Sequence, residues 1–377
     1  MKPYRVGIIG FGFIGKVHAY GYLNLPLFYD PVPLEARITH VCTRRKETAE
    51  KGAALVGAPH AVTDYRAVTE APDVDIVHIC TPNHLHKEAL LSAMKHGKHI
   101  YCDKPLVAMM DDAREVEAAL KDYRGTAQMT FHNRFFPATM RARQVVEAGF
   151  LGKVLEYRAA YLHAGSASAK APLKWKLSAA AGGGVIADLA SHVFDLVHFL
   201  LGDYDRLTAA TCIAYAERPS PDDASRRLPV DAEDCVMVLA QHRSGALGTI
   251  EATKLAQGSE DELRLEIHGA DGAIRFNSVD PHHLEVYDAT AADRPIGGTR
   301  GWTRIDTGQR YPPPASGFPT PKASIGWLRG HMACLAHFLQ AVAEGKPGDP
   351  GLGQGLYIQR VMEGARESAR TERWVRV

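Results

Sequence analysis

The first third of the chain alternates short apolar runs with amphipathic stretches. Arg5–Ile9, Arg37–Cys42, Asp75–Cys80, His99–Cys102 and Thr126–Met129 are β-rich runs. Turn residues stop them, notably Thr81-Pro82 after the third and Asp103-Lys104-Pro105 after the fourth. Ile14–Leu23, Arg45–Val56, Leu85–His96 and Asp111–Asp122 carry helical patterning between them. Continuously apolar strands alternating with helices predict a parallel sheet covered on both faces. Residues 1–132 therefore read as a doubly wound α/β domain of the kind that binds dinucleotides.

After residue 132 the rhythm changes. Pro137–Ala148 and Gly184–Leu201 read as helices, and Val154–Leu162 alternates like a half-buried strand. Strand-like runs follow at Arg206–Tyr215, Cys235–Gln241, Ala246–Thr253, Glu262–His268, Gly272–Phe276 and His283–Tyr287. Two helices close the chain, at His331–Glu344 and Gly353–Arg370. Consecutive strands without intervening helices predict a mostly antiparallel open sheet. Residues 133–377 are expected to form one α+β domain for substrate binding and oligomerisation. Two segments read as mobile: Gly165–Gly184, expected to be a lid, and the proline-rich Arg304–Ile325. Asn24–Pro33 reads as a loop insertion.

The turn after the first run is Gly10-Phe11-Gly12-Phe13-Ile14-Gly15, a GxGxxG between a strand and a helix. That context makes it a Rossmann pyrophosphate loop. Gly10 permits the tight turn, Gly12 the approach of a pyrophosphate, and Gly15 close helix–strand packing. Phe13 and Ile14 open the helix whose N–H groups face the phosphates. The second run ends in Thr43-Arg44-Arg45 rather than a carboxylate. An acid there favours NAD, and arginine accommodates the 2′-phosphate of NADP. The expectation is NAD or NADP, leaning to NADP.

Composition excludes several classes. With 377 residues, two domains are expected. Lys+Arg is 44 and Asp+Glu is 43, which gives no general attraction to nucleic acid or anionic membranes. Hydrophobic residues at 46% and charged residues at 23% are ordinary for a globular chain. Six cysteines stand singly, so no disulfide framework or zinc ribbon is expected, and a cytoplasmic setting fits. Val6–Ile14 follows Lys2 and Arg5 as a signal peptide would, but its glycines argue against one. No stretch reads as a membrane span. Among eighteen histidines no ligand spacing such as HExxH appears, so no metal is expected, even were Asp188, His192 and His132 to converge.

Asp103-Lys104-Pro105 resembles the Glu-Lys-Pro signature of the glucose–fructose oxidoreductase/inositol dehydrogenase (Gfo/Idh/MocA) family. The resemblance continues through Thr81-Pro82-Asn83-His84-Leu85-His86, Asn133-Arg134, Trp175, Gly182-Gly183-Gly184 and Asp188-Leu189-Ala190-Ser191-His192. It implies a catalytic set of Lys104, Asp188 and His192. It also implies cofactor contacts at Thr81, Pro82, Asn83, His86, Asp103 and Lys104, and places Trp175 near nicotinamide or substrate; Thr43, read from its own hydroxyl, can hydrogen-bond a ribose. His132, Arg134, Tyr161 and His163 are further candidates for the substrate pocket. Members exchange a hydride between nicotinamide C4 and a secondary hydroxyl carbon of a sugar, cyclitol or polyol. Asp103 is one methylene shorter than the usual Glu. The resemblance also implies a homodimer or homotetramer.

The residue chemistry agrees with that assignment. Asp188 and His192, four apart, are expected on one helix face, with the preceding glycines letting the loop approach a ligand. A histidine has the right pKa range to take a hydroxyl proton. Asp188 orients the imidazole or holds a neighbouring hydroxyl. Lys104 ends a parallel strand, where such sheets bind ligands, and stabilises developing alkoxide charge. The alternatives are a glycosidase with retained NAD, working by transient oxidation and elimination, and a non-catalytic nucleotide-binding regulator.

Overall fold

A computed structural model describes residues 3–308, 310–317 and 323–377. The chain divides into two compact units. The first holds a six-stranded parallel sheet: β1 (Tyr4–Ile9), β2 (Ala36–Cys42), β3 (His60–Val62), β4 (Ile76–Ile79), β5 (His99–Cys102) and β6 (Ala127–Met129). Strand order is β3-β2-β1-β4-β5-β6, and the order reverses between β1 and β4. Ligands of doubly wound sheets bind beyond the strand C-termini at such a switch point. Helices α1 (Phe13–Phe28), α2 (Lys46–Val56), α3 (Arg66–Thr69), α4 (His86–Lys95) and α5 (Met110–Leu120) connect the strands. The short edge strand β3 and the single-turn α3 escape sequence patterning, being too short to show a period.

The expected loop insertion at Asn24–Pro33 is partly helix. Helix α1 runs to Phe28 through Pro26, because Leu25 and Tyr29 are buried in the core and fix its last turn. Burying a leucine contributes about 1.5–3 kcal/mol, comparable with the ~3 kcal/mol cost of an interior proline.

The second unit is built on a nine-stranded sheet, with α6 (Pro137–Glu147) and α7 (Ser191–Leu201). In chain order its strands are β7 (Val154–Leu162), β8 (Tyr204–Cys212), the β9–β10 hairpin outside the sheet (Glu217–Pro219 and Arg227–Pro229), β11 (Cys235–His242), β12 (Leu247–Thr253), β13 (Glu262–Gly269), β14 (Gly272–Asn277), β15 (His283–Asp288), β16 (Trp302–Asp306) and β17 (Val375–Arg376). Every pairing in the sheet is antiparallel except β7–β12. Helices α6 and α7 pack on it, and Arg158, Thr208, Met237, Thr249 and Glu251 lie along an open cleft on the sheet.

By spatial contact the first unit also takes in segments from beyond residue 132. The first comprises Met1–Phe135, Tyr311–Pro321 and Gly326–Gln359. Helix α8 (Trp327–Glu344) packs on α1, and Leu335 occupies the space a side chain at Gly21 would need. Met332, Leu335 and Phe338 join Val6, Ile8, Ile76 and Tyr101 in one core. Gln128 Nε2 donates to Cys334 O at 2.9 Å. Helix α9 (Leu352–Thr371) runs from the first unit into the second.

Two loop expectations change. Gly165–Gly184 is tethered: the buried Arg218 donates to Ser166 O and Ser168 O at 2.7 Å, and Leu173 N donates to Pro219 O. Part of Arg304–Ile325 is ordered, since β16 ends at Asp306 and the buried Tyr311 donates to Phe135 O at 2.8 Å; residues 309 and 318–322 lie outside the described residues. Ala179–Leu201 is apolar and long enough to span a membrane, contrary to expectation, but it is mostly buried and broken by Gly182 and Gly184 at positive φ.

Candidate active site

The glycine loop follows directly from local sterics. Gly10 has φ +90°, and a Cβ there would lie 2.5 Å from Cys80 O, so the turns after β1 and β4 meet without room for a side chain. A Cβ on Gly15 would lie 2.1 Å from Gly10 O. Gly12 caps α1 and has open space within 4 Å of where its Cβ would be. Backbone crowded on both sides and open in the middle is what a pyrophosphate cradle at a helix N-terminus requires. Dinucleotide fits this loop. Phe13 is exposed and stacks on Trp327 with ring centroids 5.6 Å apart. Ile14 is half-buried beside it.

At the end of β2, Thr43 Oγ1 donates to Arg45 O at 2.9 Å and meets Thr48 Oγ1. Thr43 thus organises the start of α2, while Arg44 and Arg45 are exposed. After β4, Thr81 and Pro82 lead into a short helix at Asn83–Leu85, with Asn83 buried. His86 was expected to line the cofactor. It is wholly buried instead, with Nε2 2.9 Å from Thr81 O and Nδ1 3.1 Å from Pro105 O. It braces the loop after β4 against the loop after β5. Burial holds its pKa below the usual range.

Asp103 and Lys104 directly follow β5, and Lys104–Pro105 is a cis peptide. The shorter Asp103 carboxylate is fixed by Thr130, whose hydroxyl donates to Oδ1 at 2.7 Å. His132, Asn133 and Arg134 are buried on a short helix after β6. His132 stacks on His331 at 3.8 Å and meets Trp327 edge-on at 5.4 Å. Burial, with the Lys104 charge second, pushes its pKa down to about 3. A neutral ring at physiological pH is a poor ion-pair partner but a serviceable hydrogen-bonding group. Arg134 Nη1 lies 3.6 Å from Asp349 Oδ1.

In the second unit, Asp188 sits on a π-helix, Ile186–Ala190, that runs into α7 and His192. Sequence reasoning expected one regular helix. π-turns are frequent at functional sites. Glu233 Oε1 accepts from Ile186 N at 3.0 Å and so caps the segment. Gly183 and Gly184 pack against the chain itself: a Cβ on Gly183 would lie 2.6 Å from Lys176 O, and one on Gly184 2.3 Å from the Glu233 carboxylate. The close approach that Gly183 and Gly184 permit within the chain is to Lys176 and Glu233.

Asp188 is held by two ammonium groups. Lys176 Nζ lies 2.8 and 3.0 Å from its two oxygens, and the buried Lys254 Nζ lies 2.9 Å from Oδ2. Neither lysine was legible in the sequence. Lys176 lies on a single 3-10 turn, Trp175–Leu177, and Lys254 just follows β12, so no periodicity marks them. His192 is buried, with its ring 5.9 Å from that of Tyr161. Tyr161 is buried on β7, and burial, followed by nearby Asp261, raises its hydroxyl well above the usual range. His163 accepts from Gly165 N at 2.8 Å through Nδ1. Trp175 is half-exposed, with Lys176 Nζ 5.9 Å from its ring centre.

Two family descriptions together cover most of the chain. Residues 4–131 match the Gfo/Idh/MocA oxidoreductase family's NAD-binding Rossmann fold, and residues 143–377 match its C-terminal alpha/beta domain. The chain belongs to the Gfo/Idh/MocA oxidoreductase family. Among similar proteins is levoglucosan dehydrogenase of Pseudarthrobacter phenanthrenivorans, 32% identical over 390 residues that cover 100% of this chain and 99% of that one. Inositol 2-dehydrogenase of Rhizobium meliloti is 29% identical over 77% of this chain and 81% of its own. A solved structure of levoglucosan dehydrogenase in complex with NADH and L-sorbose superposes with a TM-score of 0.94 at 33% identity, covering 100% of this chain and 99% of the other.

Proposed function

We propose that this protein is an NAD(H)-dependent dehydrogenase that oxidises one secondary hydroxyl of a sugar, anhydrosugar or cyclitol, or reduces the corresponding ketone. The observation that supports it most is the full-length likeness to levoglucosan dehydrogenase, combined with a glycine loop whose only open position is Gly12. When bound, the nicotinamide accepts or returns the hydride at C4.

The remaining chemistry falls to this chain. Lys104, at the C-terminal end of β5, donates to the reacting oxygen and stabilises alkoxide charge as it develops. His192 accepts the hydroxyl proton during oxidation and returns it during reduction. Asp188, ion-paired with Lys176 and Lys254, accepts from a neighbouring substrate hydroxyl and fixes the sugar's orientation. Arg44 and Arg45 extend cofactor use to NADP(H). The exposed sheet surface of the second unit, with Arg158, Met237 and Glu251 along it, is where copies of the chain pair, in a cytoplasmic homo-oligomer.

The test is reduced-nicotinamide absorbance with both cofactors against levoglucosan, other sugars, glycosides, inositols and polyols. A substrate-dependent signal is expected. Lys104→Ala and His192→Ala should each lower kcat by roughly 10²-fold or more with cofactor Kd nearly unchanged. Full activity in both variants overturns the assignment of these residues. Release of sugar from glycosides without net reduced cofactor would instead identify a closed oxidation–elimination cycle.

A further inference from the structure

Away from that chemistry, at the opposite edge of the parallel sheet, the structure assigns a second site. We propose that His40, His60 and Asp73 bind one divalent transition-metal ion of the zinc class, which pins the edge strand β3 to the sheet.

The sheet itself brings the two histidines together. His40 on β2 and His60 on β3 are directly paired in the parallel register, so their side chains leave the same face side by side. Their rings stack with centroids 4.4 Å apart. Asp73, in the turn before β4, completes the group. Its Oδ1 lies 4.0 Å from His40 Nε2 and its Oδ2 3.9 Å from His60 Nε2. One ligand atom from each residue lies within 4.8 Å of the other two. Ligand atoms around a tetrahedral zinc ion are about 3.4 Å apart, given bonds of ~2.1 Å. Closing the difference takes shifts of well under ~1 Å, and His60 and Asp73 are the mobile partners, being roughly half exposed.

Three further features aim the group at a cation. Strand β2 carries a register shift against β1: Val6 pairs with Ile38 and Gly7 with His40, so Thr39 is the extra residue of a bulge. Bulges re-aim the adjacent side chain, here His40. The Thr39 hydroxyl lies 3.3 Å from Val6 O, which can only accept, and 3.0 Å from His40 Nδ1. With its proton given to Val6 O, Thr39 accepts from His40 Nδ1–H, which leaves the Nε2 lone pair facing His60 and Asp73. A hydrogen bond from the distal ring nitrogen is the usual support of a metal-bound histidine. Finally, Arg5 lies close enough to act on Asp73 through its charge, but its hydrogen bonds go to Asp75 and Pro72 O, so both Asp73 oxygens stay turned to the histidines. Its guanidinium and backbone N–H are committed to Asp75 at 2.8–3.0 Å. Two imidazoles and a carboxylate suit Zn²⁺, Co²⁺, Ni²⁺ or Cu²⁺ far better than Mg²⁺ or Ca²⁺, which prefer oxygen. Water completes the coordination on the exposed side.

The sequence carried no hint of this site. The histidines are on separate strands and no local ligand spacing exists between them.

The test uses the full chain, stripped with chelator and desalted, then titrated with Zn²⁺ by calorimetry and with Co²⁺ by visible absorbance. One saturable ion per chain is expected, with a rise in thermal midpoint as the ion is added and little competition from excess Mg²⁺. His60→Ala, an exposed position that leaves the core intact, and Asp73→Asn should each weaken binding by roughly tenfold or more and abolish the midpoint shift. Absence of saturable binding overturns the proposal. So does an affinity equal to that of the parent in both variants, since the ion would then sit elsewhere.

Discussion

Two glycine-rich turns lead into the two helices that matter most here, and they do opposite things. At Gly10–Gly15 the outer glycines are packed against backbone and the middle one faces open space. At Gly182–Gly184 the last two glycines face the chain's own Lys176 and Glu233. The first turn is shaped to receive a ligand. The second is shaped to close on itself and hold Asp188 at a chosen place on a π-helix. A glycine run therefore marks a close approach, and only the surroundings say whether the approaching group is a ligand or another part of the chain.

That contrast can be broken by substitution. The largest effect is expected for Gly15→Ala, because a Cβ 2.1 Å from Gly10 O meets backbone that no rotamer change relieves. A loss of about 3 kcal/mol or more in denaturant unfolding is expected, with cofactor binding lost as well; an unchanged midpoint would sink the packing argument. Gly184→Ala comes next, at about 2–3 kcal/mol. It combines strain at φ +98° with displacement of Glu233 from its cap on Ile186. Its cofactor Kd should equal that of the parent; a weakened Kd would show that the second turn also serves the dinucleotide.

Gly12→Ala should do the reverse. Unfolding should move by no more than about 0.5 kcal/mol, while cofactor Kd rises roughly tenfold. A stability loss with normal affinity would refute the open-cradle reading. Replacing both Arg44 and Arg45 by Ala sharpens the comparison further out along the cofactor: NADP(H) should weaken roughly tenfold more than NAD(H), and equal weakening would reject a 2′-phosphate contact.

The smallest effect concerns protons. His132 is buried and neutral, with its pKa pushed from 6.5 to about 3. Below pH 6.5 the unfolded chain takes up a proton that the folded chain refuses. Stability is therefore lost as pH falls from 6.5 toward 3. His18, pushed by burial to about 4, acts in the same direction. His132→Gln should make the fall in thermal midpoint between pH 6.5 and 4 shallower, whatever its cost at pH 7. An unchanged slope would mean that His132 is protonated in the folded chain.

Much of this was written in the chain. Five apolar runs separated by helical periods allow little except a parallel doubly wound sheet, because strands buried on both faces must be continuously apolar. GxGxxG at the first turn leaves one use for that sheet, since its glycines are sites where backbone or phosphate must come within a side chain's reach. Lys104, Asp188 and His192 could be singled out as candidates because they stand in motifs that are read from neighbours in sequence. Other features required the folded chain. Helix α8, far from α1 in sequence, completes the first unit's core through Leu335 against Gly21. Lys176 and Lys254 converge on Asp188 from separate elements. His86 and His132 turn out buried, and the pairing of β2 with β3 sets His40 beside His60. Periodicity and local motifs record which face of an element is apolar and which turn is tight, because those depend on neighbours in sequence. Which charge meets which, and which ring loses its water, depends on neighbours in space.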